Sequence, residues 1–397
     1  LSWDHRSKIF AIGVALQPTP GVFVLPQASG LIGVSSPTNT RDAITAADPT
    51  QTGTIWDAPP IFLGKTGTAG GTIPLRGFGA GGTPIGNAFA LGLILQACGF
   101  SELVRSTDQA ATAVGSGSST TQIALANSES TVDDFYVGMP IQNPAFGSGF
   151  RSYTAIQDYV GSTRMALLAE TLGSAPSGTY VIPANLTYQL GTLAANPPRM
   201  SVSVWRDKVR YDYVDCVITS WAIDVPVSNE ANTVFPSIDF TMKGTPIPRV
   251  DTTTPTLPQS ILNVPVPASR GGKFYLDKIK LGHTGTKVNL ALTAGAPSNQ
   301  NQDAGQDGQV LQSGSRTIDL TLNAMNVTDF DLDSREDSRL IVPMMSMWGA
   351  GVGNRFGLSI PGMVMNPANP QDANGFVTLA NQSFPTNLDK SIALTIF

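Results

Sequence analysis

The chain has 397 residues, 24 basic against 29 acidic side chains for a net charge of −5, and only 13% charged residues beside 40 glycines and 29 prolines. That composition suits strands joined by many turns and is poor for helices, whose exposed faces want Glu, Lys and Arg. No basic cluster can displace counterions from phosphates, which excludes a protein that grips DNA or RNA, although a weakly acidic wall lets DNA lie close without sticking.

The opening LSWDHRSKIF carries charges where a secretory segment would be apolar, and the longest apolar run, Ala88 to Cys98, is too short to span a membrane. Residues 7–35 alternate short apolar runs with Pro and Gly, as strands or extended arms do. Residues 36–60 are rich in Thr, Asp and Pro and read as a long surface loop; GTIPLRGFG (71–79) reads as a strand. GNAFALGLILQACGF (86–100) is apolar on nearly every face, so a helix there must be buried all round, with Gly99 as its stop. AVGSGSST (113–120) has the composition of a flexible linker. A small β-module follows at 131–172 and SGTYVIPA (177–184) closes it. Alternation is strong over 199–227 and resumes at 234–244. Residues 246–267 hold six prolines and mark the best domain boundary, after which a second strand-rich unit runs to Phe397.

Weak matches suggest an internal duplication. LIGVSS (31–36) parallels LDKIKLG (276–282), and TIPL (72–75) parallels TIDL (317–320), both shifted by 245 positions. A helix at SREDSRLIVPMMSMWG (334–349), capped by Ser334 and kinked at Pro343, would match the helix at 86–100; SIDFT (237–241) would match SIALT (391–395). Two copies of one β-rich domain result, with the extra module in the first.

Motifs for chemistry fail on context. GFGAGG (77–82) matches a dinucleotide-binding pattern, but Thr83, Pro84 and Ile85 separate it from the helix and Pro74 sits in the preceding strand. LGKTGT (63–68) has Pro59 where a phosphate loop needs its first Gly. DAGQDGQ (303–309) puts Gly305 and Gly314 at calcium-ligand positions. DFDLDSRED (329–337) reads as helix capping. His5 and His283, the two histidines, have no ligand or triad spacing; Cys98 and Cys216 read as buried free thiols. No catalytic, cofactor-binding or metal residues are expected, no cofactor is implied, and the chain is expected not to be an enzyme.

Residues 118–182, with DDFYVGMPI, AIQDYVGSTRMALL and SGTYVI, resemble a small β-module of structural proteins of tailed bacteriophages. Gly138 and Gly161 take turn positions in that pattern, and Tyr136, Ile156 and Tyr159 core positions. YDYVDCVITSWAIDVPVSNEANTVFPSIDFTMKGTP (211–246), GKTGTAGGTIPLRGFGAGGTPIGNAFALGLILQACGF (64–100) and the segments from GNRFGLSIPGMVM to KSIALTIF resemble phage tail tube subunits. A single-domain tube subunit is much shorter, so the resemblance implies two fused tube domains.

The implied fold is mainly β: two tail-tube-like β-sandwich or barrel domains, each with one helix, plus the inserted β domain. Their expected spans are 1–117 with 183–248 for the first, 118–182 for the insert and 249–397 for the second. The resemblance further implies a tail tube of a long-tailed, siphovirus-type virion assembled in the host cytoplasm. Its expected partners are further copies in stacked rings, as homotrimers that imitate hexamers. Others are a tape-measure protein and DNA in a non-adhesive lumen, tail-terminator and baseplate proteins at the ends, and no membrane. Alternatives are a decoration or baseplate component, or a receptor- or carbohydrate-binding module, for which Trp205, Trp221 and Trp348 would need exposure.

Overall fold

A computed structural model describes residues 10–48, 59–79, 90–191, 197–227, 234–258, 264–295, 310–323, 325, 327–328, 330–349, 351–373, 376–386 and 389–397. These are mainly β. Every named strand pairing is antiparallel; 20 strands form one hydrogen-bonded network, beside a four-stranded and a two-stranded sheet.

The first half opens with β1 (Phe10–Leu16), β2 (Leu31–Ile32), β3 (Ser35–Asn39), β4 (Asp42–Ala46) and β5 (Ile61–Pro74). β3 and then β4 run along β5 as one long hairpin, where a surface loop over 36–60 was expected. Of the strand expected over 71–79, residues 71–74 form the end of β5 and 75–79 lie in no strand; over 61–70 glycine spacing hides β5 from any alternation count. A Cβ on Gly67 would lie 2.6 Å from the Tyr213 ring, and one on Gly70 would lie 2.3 Å from the Phe240 carbonyl oxygen, so close packing explains both glycines.

Helix α1 (Ala90–Ala97) follows; Leu91, Leu93, Ile94 and Leu95 are all buried, as the apolar run requires. Residues 86–89 of the expected helix lie outside the described set. Gly99 ends it at φ +93°, and Phe100 already belongs to β6 (Phe100–Arg105).

The module comprises β7 (Thr112–Ala113), β8 (Gln122–Ala124), β9 (Pro140–Gln142), β10 (Tyr153–Val160), β11 (Met165–Leu168) and β12 (Thr179–Tyr180). β8, β11, β10 and β9 form the small sheet in that order, and β7 pairs with β12. Its own core includes Ile123, Tyr136, Ile156, Tyr159, Leu168 and Ile182. The stretch 113–120 is not a free linker: Val114 N–H donates to Gly178 O at 3.0 Å and Gly115 N–H to Ala124 O at 2.9 Å.

The first half resumes with β13 (Asn185–Leu190), β14 (Met200–Arg206), β15 (Val209–Pro226), β16 (Ser237–Pro246) and β17 (Val250–Asp251). The second half contains β18 (Lys273–Leu276), β19 (Ile279–Lys280), β20 (His283–Gly295), β21 (Val310–Asn323) and α2 (Leu332–Asp337). It ends with β22 (Val342–Trp348), β23 (Phe356–Met365), β24 (Asn369–Ala373), β25 (Phe376–Pro385) and β26 (Ala393–Ile396). The helix expected over 334–349 is therefore a six-residue helix followed by a strand. Asp331, not Ser334, caps it, accepting from Ser334 N–H at 2.9 Å. Pro343 falls where the β22–β23 register shifts, between Val342 and Met344, so it breaks no ladder.

The halves repeat one another register for register. Thr45 faces Phe62 across β4 and β5; Ala294 faces Leu311 across β20 and β21, each partner 249 positions on. Even the register shift recurs there, at Ile44/Thr45 and at Thr293/Ala294. Met200–Cys216 and Val202–Tyr213 on β14 and β15 recur as Val342–Met363 and Met344–Ile360 on β22 and β23, around the same shift. Asp239 of β16 faces Ala222, and Ala380 of β25 faces Asn369, so β23 with β24 stands where β15 stands. The first half alone carries the span from β6 to β13 between its helix and β14.

This corrects the letter matches. Thr72 and Ile73 correspond to Thr321 and Leu322, not to the TIDL residues, because the letters coincide four residues out of step. SIDFT lies in β16, whose counterpart is β25, whereas SIALT runs into β26. The halves also share sheet and core. β15 pairs with β20, β13 pairs with β26, and one apolar cluster includes Ile12, Trp221, Leu290 and Ile396.

Candidate assembly interface

Among the described residues, both cysteines and the histidine are tied into packing. Cys98 and Cys216 are free and buried, and burial pushes both thiols up, away from a nucleophilic thiolate. His283 stacks on Phe274 with ring centroids 4.1 Å apart, and burial lowers its pKa to about 4. His5 lies outside the described residues, as does the 303–309 acidic loop. Gly77 and Gly79 spend their N–H groups within the chain, Gly77 N–H donating to Asn354 Oδ1 at 2.9 Å and Gly79 N–H to Gly353 O at 3.0 Å; residues 80–82 of the motif lie outside the described residues. A Cβ on Gly77 would come 2.0 Å from Gly353 O, so the glycine is required by contact between the halves. Lys65 and Thr66 stand inside β5. Among the described residues no three His, Cys, Asp or Glu side chains gather as metal ligands.

Around α2, acids act in packing. Arg335 pairs with Asp277 at 2.7 Å, and buried Glu336 accepts from Ala368 N–H at 3.0 Å. A cleft of about 450 Å³ between the module and the second half is lined by Asp134, Asp158, Lys278 and Lys390 among others. Burial, then the neighbouring Asp158, raises the Asp134 carboxyl.

The module is clamped to the body at several points. Lys273 Nζ, on β18, donates to Arg151 O at 2.7 Å, Tyr153 O at 2.8 Å and Glu170 Oε1 at 3.2 Å, with both the Lys273 and Glu170 side chains 6% exposed. Thr395 Oγ1 donates to Gly138 O at 2.7 Å, and Ala155 and Ala169 pack with Met345, Met347 and Phe397. Gly138 sits at φ +82°, and Tyr136, Ile156 and Tyr159 are buried.

The most informative surface feature is a set of strand edges. Within the chain, β15 joins the halves by pairing with β20 from Ser220–Ala291 to Pro226–Gly285. Trp221, Ile223 and Val225 are buried along that joint, with Val288 and Leu290 opposite. Asp224 lies across from Lys287, whose charge offsets part of the burial that raises the Asp224 carboxyl. The matching strands elsewhere have no such neighbour: among the described strands β24 pairs only with β25, and β3 and β4 only with β5. The hairpin formed by β4 and β5 also exposes Ile44, Ile61, Phe62 and Leu63. Unpaired edges and apolar tips of this kind template association.

Neither a protein-family model nor a curated protein matches the sequence. Function therefore rests on the edges, the tips and the repeated register.

Residues 36–60 read from the sequence only as a loop, and nothing in the sequence marks the β24 edge. Ser35–Ala46 looks like a loop because its residues are small and polar. The signal that could have found it is the paired-strand register of the second half, which no local pattern contains.

Proposed function

We propose that the chain is a non-enzymatic structural subunit of a bacteriophage tail tube. Copies associate head to tail into rings, and rings stack into a hollow conduit through which DNA passes. The observation that carries this reading is the register-for-register repeat of two β units joined edge to edge, with the corresponding outer edges left open. A joint that relates unit one to unit two can relate unit two to unit one of another copy, which is a heterologous contact and generates rings or filaments. The acidic balance and low charge density suit a wall that DNA slides past. Exposed Phe62 and Leu63 at the hairpin end suit contact with a neighbouring ring.

In this reading three chains imitate six domains in a ring. Tape-measure protein occupies the lumen before DNA, terminator and baseplate proteins bind the ends, and the site of action is the virion. A carbohydrate-binding module is disfavoured, because Trp205, Trp221 and Trp348 are buried and offer sugars no aromatic platform. Sedimentation velocity over a concentration series tests the reading. Tube subunits give a trimer-sized species and open-ended growth; a single monomer boundary at every concentration rejects it.

A further inference from the structure

The repeat permits a step beyond ring formation, resting on the proposed self-assembly. We propose that a second copy of this chain lays its 36–42 strand antiparallel along the outer edge of residues 367–373, in the register that β20 takes on β15.

The register follows from the two constant shifts. Residues of β15 correspond to those of β23 and β24 147 positions on (Ala222 to Asn369, Asp224 to Gln371), as their shared partners on β16 and β25 require. Residues of β20 correspond to those of β3 and β4 249 positions back (Asn289 to Thr40, Lys287 to Thr38). Ala222 faces Asn289 and Asp224 faces Lys287. Between copies, Asn369 therefore faces Thr40, and Gln371 faces Thr38. All four of these side chains are exposed.

Peptide directions agree. Thr40 turns its N–H to Thr68 O at 2.8 Å, so Asn39 and Arg41 turn their peptide groups away from β5. In the intrachain joint, Val227 N–H donates to Thr284 O at 2.9 Å, which places Ile223, of the same parity, facing β20. The Ile223 counterpart is Pro370, facing the open edge, where its missing donor costs the single chain no ladder bond. Pro37 on the other strand removes a second donor while leaving its carbonyl. Arg206 Nε binds Asn39 Oδ1 at 2.5 Å, which pins the strand through a side chain and leaves the Asn39 N–H outward. The joint between copies thus follows the internal one with fewer donors. That guards single subunits against indiscriminate edge pairing and makes assembly concentration-dependent.

Thr40 with Asn369 is a non-hydrogen-bonded pair in this joint, the arrangement with the shortest Cβ separation. Paired cysteines therefore test it on the full chain, the native thiols being buried. Under mild oxidation T40C/N369C and T38C/Q371C should each give intermolecular disulfides and a ladder of covalent oligomers on non-reducing gels. The displaced pair T40C/Q371C should give none, because its Cβ atoms lie beyond disulfide reach. Pro370→Val should shift assembly to lower concentration. Rings or filaments that form without cross-linking in either matched pair, or with the displaced pair cross-linking instead, overturn the register alone. Chains that stay monomeric, checked by sedimentation of the unsubstituted protein, overturn both the register and the proposed function.

Discussion

Two contacts show how the module and the body depend on one another. Lys273 is buried with Glu170 and is satisfied by two carbonyls as well. Lys273→Met leaves Glu170 buried without a counter-charge and should cost about 3–5 kcal/mol in urea unfolding; replacing both partners by apolar residues should cost less. Gly138→Ala places a methyl 2.3 Å from the Ala393 Cβ at a positive φ. It should destabilise by about 1–3 kcal/mol, measurable by thermal or urea unfolding. His283 is lowered to about 4 by burial, whereas a free imidazole titrates near about 6.5. The unfolded chain therefore binds the extra proton between those values, and stability falls as pH drops through that window, by up to about 3 kcal/mol. His283→Phe should flatten that part of the profile relative to the parent protein. An unchanged slope would mean that the imidazole is not the group responsible.

Elements differ in how much of them the sequence displays. β16 and the last third of β15 alternate buried and less buried residues, and the pattern is readable because the two sheet faces there contrast in polarity; in β14 the letters alternate although Met200–Trp205 are all buried. α1 is readable because seven of its eight residues are buried and apolar. β5 is readable only at its end, over 71–74; over 61–70 it is not, because Gly67 and Gly70 lack the side chains that a period-two pattern needs, their space being taken by the Tyr213 ring and the Phe240 backbone. β22 is misread as helix because acids and Ser precede a Met-rich run, while the pairing with β18 and β23 that makes it a strand is long-range. The edges proposed for assembly are illegible for the same reason: Thr38, Thr40, Asn369 and Gln371 gain meaning only from registers set elsewhere. The hairpin of β4 and β5 carries its own prediction. Phe62→Ser with Leu63→Ser should leave unfolding of the single chain within about 0.5 kcal/mol, since both side chains are exposed. The same change should reduce stacking into long polymers by sedimentation.

At the scale of the molecule, one network of strands binds both halves, and the module bears on the second half through Lys273, Met345, Met347 and Phe397. A module hung on a flexible linker could be removed without harm. This one is seated, so deletion of 118–182 should expose a buried lysine and an apolar patch and lower the melting temperature of what remains. A truncated chain with unchanged stability would contradict that seating. The central claim is that the repeated, edge-joined architecture exists to polymerise. Negative-stain electron microscopy of the concentrated protein tests it most directly. Hollow rings or tubes with an axial hole are the predicted result; uniform single particles that never associate would contradict it.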